Sequence, residues 1–281
     1  MIIDAHHHLW RFDPVAFDWI GQQDIPLRRD FVRPELVEMS TASGLAGTIV
    51  VQARQSLEET TWLLELSHQT TLIRGVVGWV PLADPQLPTL LDALPRGRLV
   101  GVRHVVQGEA DPNFLLRPDI MRGLQEIGRR GLCYDLLVKA HQLPQAIRCV
   151  EQMSTSQPQL RFILDHGGKP DIRAGSLTTW ARDLTRLARH TQVACKLSGL
   201  ITEADPATWT MEVLAPYMRI ILDVFGPQRV LFGSDWPVCL LGVSHRQWLD
   251  TVRAIIAPYS VSEQAAILGG NAVTWYSLET P

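Results

Sequence analysis

Met1-Ile2-Ile3-Asp4-Ala5-His6-His7-His8-Leu9-Trp10 opens the chain, and Val230-Leu231-Phe232-Gly233-Ser234-Asp235-Trp236-Pro237 stands near its other end. Each stretch begins as a short apolar run of strand character and ends in residues that carry chemistry. Side chains alternate faces along a strand, so His6 and His8 project the same way, about 6 to 7 Å apart. His7 points to the other face, toward packing or solvent. Two imidazoles at that spacing can share one metal ion or one polarised carbonyl. The carboxylate of Asp235 completes such a site only if the chain closes on itself. The expectation is a barrel with a hydrolytic or lyase centre at its mouth.

Between these ends, short β-rich runs alternate with helical stretches. Strands are predicted at residues 2–6, 48–53, 75–80, 99–104, 133–138, 161–165, 193–197 and 230–232. Most are continuous apolar runs such as Thr48-Ile49-Val50-Val51, as expected of strands buried on both faces in a parallel sheet. Ser56 with Glu59 predicts a capping box ahead of Trp62, Leu63 and Leu66, and Ser244 with Gln247 another ahead of Trp248, Val252 and Ile255. Asp205-Pro206 reads as an N-cap and first-turn pair, with Pro216 breaking or kinking the helix they begin. Residues 177–190 and 142–153 read as helices with apolar faces. Eight strands with intervening helices predict an α/β fold, a single (β/α)8 TIM barrel over residues 1–281. Residues 9–33 are too irregular for one helix and read as a long loop after strand 1, folding over the barrel mouth. Loops of that length inside a compact domain are often functional.

The length of 281 residues suits one closed barrel, which commonly takes about 250. A hydrophobic share of 46% is ample for a large core, and a net charge of −3 provides no basic footprint for nucleic acid. No apolar run approaches the roughly 20 residues of a membrane span, and the start lacks the basic-then-apolar order of a secretory signal. Cys133, Cys149, Cys195 and Cys239 are widely spaced and form no C-x-x-C pair. A reduced, cytoplasmic protein is expected.

Other residues qualify for the site. His166 follows the apolar run 162–164 and precedes Gly167-Gly168-Lys169-Pro170, where glycines let a backbone approach a ligand; the plain alternative is a satisfied buried histidine. Asp235, paired with the two histidines, is a candidate general base or metal ligand. Arg54 shares a face of strand 2 with Gln52, and Arg103 and His104 end strand 4. Arginine in such positions forks onto a carboxylate, a carbonyl or a sugar hydroxyl, or forms a structural ion pair. Trp10 and Trp236 adjoin the two ends of the site and would wall a sugar ring or a flat lactone, or belong to loop core. Cys239 has no adjacent base, so a cysteine nucleophile is not expected.

Asp4-Ala5-His6-His7-His8-Leu9-Trp10, Gly101-Val102-Arg103-His104, Asp165-His166-Gly167-Gly168-Lys169-Pro170, Phe232-Gly233-Ser234-Asp235-Trp236-Pro237 and Ile267-Leu268-Gly269-Gly270-Asn271-Ala272 occur in that order. Together they resemble the amidohydrolase superfamily, in the branch of metal-dependent hydrolases that includes sugar lactonases, over nearly the whole chain. The resemblance implies His6 and His8 as strand 1 ligands, His166 as the strand 6 histidine and Asp235 as the strand 8 aspartate. Two departures stand out. Binuclear members carry a lysine after strand 4 where this chain has Arg103-His104, which disfavours a two-metal site. Mononuclear members add a histidine at the end of strand 5, where this chain has Tyr134-Asp135-Leu136-Leu137-Val138, and His141 lies further into the loop. His6, His8 and Asp235 would then hold one divalent ion weakly, zinc being the expected one, and some lactonases of the branch do not need it.

The implied activity is hydrolysis of a small aldonolactone such as L-fuconolactone, in carbohydrate catabolism. Asp235 would be the general base on water, with His166 beside it. Arg54, Arg103, His104, Trp10 and Trp236 would contact the substrate. The expected partner is that small molecule; neither nucleic acid nor membrane is expected, and the oligomeric state is left open. A rival reading is nonoxidative decarboxylation of an aromatic or unsaturated acid, which needs a firmly held metal and a carboxylate clamp. A third is a noncatalytic ligand-binding barrel, since fold alone does not dictate function.

Overall fold

A computed structural model describes residues 1–95 and 97–279. Its strands are β1 (Ile3–His7), β2 (Gly47–Val51), β3 (Ile73–Gly78), β4 (Leu99–His104), β5 (Cys133–Leu136), β6 (Phe162–Leu164), β7 (Val193–Leu197) and β8 (Val230–Phe232). They form one sheet in chain order, and every neighbouring pair is parallel. The two edges meet just past the strand ends: the Asp235 N–H donates to the His6 carbonyl at 2.8 Å and the His8 N–H to the Trp236 carbonyl at 2.6 Å. The result is a single (β/α)8 barrel.

Between and after the strands lie α1 (Arg33–Ser43), α2 (Leu57–His68), α3 (Leu87–Ala93), α4 (Pro118–Arg129), α5 (Leu143–Ser156), α6 (Thr178–Ala188), α7 (Leu200–Glu203), α8 (Met211–Phe225), α9 (His245–Ile256), α10 (Val261–Ala265) and α11 (Asn271–Trp275). Among the described residues no helix is long and apolar enough to cross a membrane. One apolar core fills the space between strands and helices. A second cluster joins Ile3, Ala5, Ile49, Val51, Val77, Ile163, Ala194 and Leu231 to Ala272, Tyr276 and Leu278 from the end of the chain.

Strands 48–53, 75–80 and 133–138 of the sequence reading overrun the observed β2, β3 and β5 by two residues each. The reason is that Val80 and Val138 stay buried beyond the last ladder bond, so the apolar pattern outlasts the pairing. The Ser244–Gln247 capping box forms in both directions, at 3.2 and 2.8 Å. The box at Ser56 forms by half: its hydroxyl caps the Glu59 N–H at 3.3 Å, while the Glu59 carboxylate reaches past it to the N–H groups of Ala53 and Arg54, at 3.0 and 2.8 Å. Asp205 begins a turn, accepting from the Ala207 N–H and the Thr208 hydroxyl, and starts no helix. The next helix, α8, runs on through Pro216.

The decisive local irregularity is in β1. Asp4 lies opposite Thr48 while His7 lies opposite Val50, so three steps on β1 answer two on β2. Such a bulge carries one extra residue and re-aims the side chains around it. Ile3 and Ala5 join the inner cluster, yet His6 also turns inward, while Asp4 faces His245 of α9 and His7 faces Thr48. Asp4 holds the bulge, accepting the His6 N–H at 3.0 Å and the Ser234 N–H and hydroxyl at 2.9 and 2.5 Å.

Candidate active site

His6 and His8 leave the bulged end of β1 on the inner face. His8 donates its Nδ1–H to the Val51 carbonyl at 2.8 Å, which leaves Nε2 as the inward-facing atom. Across the seam, Asp235 sits in the left-handed backbone region at φ 59°, and His166 does so at φ 54°. Residues held there cost on the order of 1–3 kcal/mol and persist where the surroundings over-determine them. For Asp235 those surroundings are its N–H bond to the His6 carbonyl and its own carbonyl accepting from Cys239 at 2.9 Å. His166 lies against Gly199, where a Cβ would come within 2.3 Å of its Nδ1. Gly167 does not open the backbone to a ligand, as its sequence context suggested: a Cβ there would meet Ile221 of α8 at 2.5 Å, so it serves packing.

Three imidazoles converge on one oxygen. Asp235 Oδ1 lies 3.2 Å from His8 Nε2, 3.6 Å from His6 Nε2 and 4.0 Å from His166 Nε2. Burial alone would raise this carboxyl, but His166, His8 and His6 outweigh it and hold Asp235 well below the ordinary carboxylate value. Burial depresses His166 to about 4, and burial together with Lys196 holds His6 well below the usual imidazole value. Neutral imidazoles beside an ionised carboxylate are the protonation states a metal requires of its ligands.

A buried charge network supports them from beneath. Lys196 Nζ reaches Asp135 Oδ2 at 2.5 Å, Asp165 Oδ1 at 3.0 Å and His6 Nδ1 at 3.0 Å. Arg103 Nη1 donates to Asp165 Oδ2 at 3.1 Å and lies 3.3 Å from His6 Nε2, while its Nη2 donates to the Gln52 carbonyl. The Arg103 Nε has no partner among the described residues. Burial pushes the Asp135 carboxyl up to about 6 against the pull of Lys196. Burial works on Asp165 too, but Lys196, His6 and Arg103 overcome it and hold that carboxyl well below its usual value.

Above this floor opens a cavity of about 590 Å³, lined by His8, His166, Asp235, Arg103 and Arg54 among others. Trp10, Trp236 and His104 do not line it, which corrects their expected place at the substrate. Trp10 is fully buried and packs on Phe17 and Phe31, donating its Nε1–H to the Arg29 carbonyl. Trp236 is buried and forms an edge-to-face pair with Phe31, ring centroids 5.1 Å apart. His104 follows Arg103 on a strand, so it takes the opposite face. There it stacks on Phe114, meets Glu109 at 2.6 Å and accepts from Trp79. The tryptophan that does line the cavity is Trp19, from the segment between β1 and α1.

Lys196, Asp135 and Asp165 were not singled out as functional in the sequence. A signal existed: each is a charged residue in or at the end of an apolar strand, as in Val193-Ala194-Cys195-Lys196-Leu197, and such residues are almost never buried unless paired. Lys169 and Glu203, paired at 2.7 Å on the cavity wall, carried no such signal. Cys239 is buried, which pushes its thiol well above the usual range.

Two groups of side chains have ligand atoms close enough for one ion, His6 with His8 and Asp235, and His6 with Asp165 and His166. Asp165 is already engaged by both Arg103 and Lys196, so the first group is the better fit. Two imidazole nitrogens and a carboxylate oxygen suit zinc.

The amidohydrolase family pattern matches residues 3–278. The chain belongs to the amidohydrolase family. Similar to this amidohydrolase is an L-fucono-1,5-lactonase of Burkholderia multivorans, 38% identical and covering 99% of this chain and 97% of the relative. Another L-fucono-1,5-lactonase, from Burkholderia ambifaria, is 32% identical over 99% of this chain and 96% of its own. A crystal structure of a Burkholderia multivorans amidohydrolase with bound zinc superposes with a TM-score of 0.96 at 36% identity, covering 99% of this chain and 100% of that one.

Proposed function

We propose that this amidohydrolase hydrolyses a small aldonolactone, with L-fucono-1,5-lactone the first compound to try. The observation that carries the reading is Asp235, an ionised carboxylate ringed by three imidazoles beside a cavity large enough for a sugar ring. The full-length similarity to named lactonases supports the substrate class.

In this reading the lactone lies with its carbonyl toward Arg103, whose guanidinium lines the cavity and stabilises the oxygen as negative charge develops there. Asp235 accepts a proton from the attacking water as its oxygen bonds to the carbonyl carbon. The bond from that carbon to the ring oxygen then breaks, and Asp235 returns the proton to the ring oxygen. The product is the open hydroxy acid. A divalent ion held by His6, His8 and Asp235 would polarise the carbonyl and acidify the attacking water. A lactone is already an activated ester, which asks less of the base than an amide does.

The cavity's cations favour a neutral ring over an acid. Arg103 is paired with Asp165, Lys169 with Glu203 and Arg54 with Glu58, while Asp18 and Asp24 add negative charge to the lining. Among the described residues each of these cations has an acidic neighbour, which disfavours the carboxylate clamp a decarboxylase needs. A panel of aldonolactones followed with a pH indicator tests the reading. Wild type is expected to open at least one, and Asp235→Asn to lose about 10²- to 10⁴-fold in kcat. Unchanged turnover in the variant refutes the base, and carbon dioxide released from an aromatic acid would favour the rival.

A further inference from the structure

We infer that Trp19 is the platform on which the lactone ring lies, and so a specificity-determining residue of this site; the inference rests on the lactone reading above. Trp19 is the only Phe, Tyr or Trp among the described residues lining the cavity, and it is 44% exposed. Its ring stands perpendicular to that of Trp10, centroids 5.7 Å apart at 88°. In an edge-to-face pair one ring offers an edge and the other a face, so Trp10 covers at most one face of Trp19. The exposed part of the ring lines the cavity. Trp10 itself is fixed, fully buried against Phe17 and Phe31, which makes Trp19 a braced surface rather than a loose side chain.

A sugar lactone has an apolar C–H face and a polar hydroxyl edge. An indole face takes the first and removes apolar surface from water as it does so. Arg54, Gln55 and Gln107, lining the same cavity, offer hydrogen bonds to the second. An indole takes no part in the proton transfers of the proposed reaction, so the contribution of Trp19 is uniform binding, which appears in KM and leaves kcat alone.

The test is the kinetics of Trp19→Ala and Trp19→Phe on a lactone the wild type opens. Trp19→Ala is expected to raise KM by about ten- to a hundredfold with kcat within about threefold, and Trp19→Phe to recover much of that loss. In an Asp235→Asn background, titrated lactone is expected to change the intrinsic fluorescence, and Trp19→Phe to abolish the change. If Trp19→Ala fails to fold, the fluorescence arm decides alone. A wild type that opens no lactone overturns the lactone reading and this inference with it. A wild type that does so, beside a Trp19→Ala variant of unchanged KM or a signal surviving in Trp19→Phe, overturns the platform alone.

Discussion

His8 shows how much of a site can be set by one hydrogen bond. Its Nδ1–H is committed to the Val51 carbonyl, so only Nε2 remains to face Asp235. A metal-ligating histidine is commonly oriented in this way by its second nitrogen. Zinc is therefore expected to bind in a one-to-one ratio, and His8→Ala to weaken it by at least about tenfold. Competition with a chelating dye reads this without any substrate; equal zinc affinity in the variant would remove His8 from the ligand set. The histidine pair and Asp235 were legible in the sequence because a strand's two-residue period places His6 and His8 together. Trp10, Trp236 and His104 were not, because which face a residue takes past a strand end depends on neighbours that spacing does not reveal.

At the level of single elements, β1 and α2 depart from their local rules, and both departures shape the cavity. The bulge in β1 was invisible in the sequence, since register belongs to a pair of strands and not to one. The apolar runs were readable because buried parallel strands carry them on both faces. Glu59 leaves its capping box to hold the backbone of Ala53 and Arg54, two cavity residues. Burial raises its carboxyl from 4.5 to about 7, with the bonds from those two N–H groups pulling the other way. The folded chain thus keeps a proton that the unfolded chain releases. Stability from this group is whole below pH 4.5 and is lost as pH rises through about 7. The buried histidines gain stability over the same window, so the difference carries the test: as pH rises, urea midpoints of wild type are expected to fall relative to those of Glu59→Gln; identical slopes would contradict the assignment.

Taken as a whole, the molecule is tied together through its centre by charge. Lys196 of β7 joins Asp135 of β5, Asp165 after β6 and His6 of β1, and Tyr276 near the end of the chain donates to Asp135 at 2.7 Å. Removing one member of a buried pair strands its partner at a cost of about 3–5 kcal/mol. Lys196→Met is expected to destabilise the fold by that order, read from equilibrium urea unfolding; a loss below about 1 kcal/mol would mean the network contributes little. The eight-strand order was legible from the alternation of runs. This network was not, because its members lie 61 and 190 residues apart and only barrel closure brings them together.

The seam between β8 and β1 has a temporal consequence. His6 and His8 leave the ribosome more than two hundred residues ahead of Asp235. The histidine pair has no carboxylate of β8 beside it until that strand docks against β1. A chain that stops short of β8 is therefore expected to lack the assembled cluster of imidazoles and carboxylate, however much of the barrel it has formed.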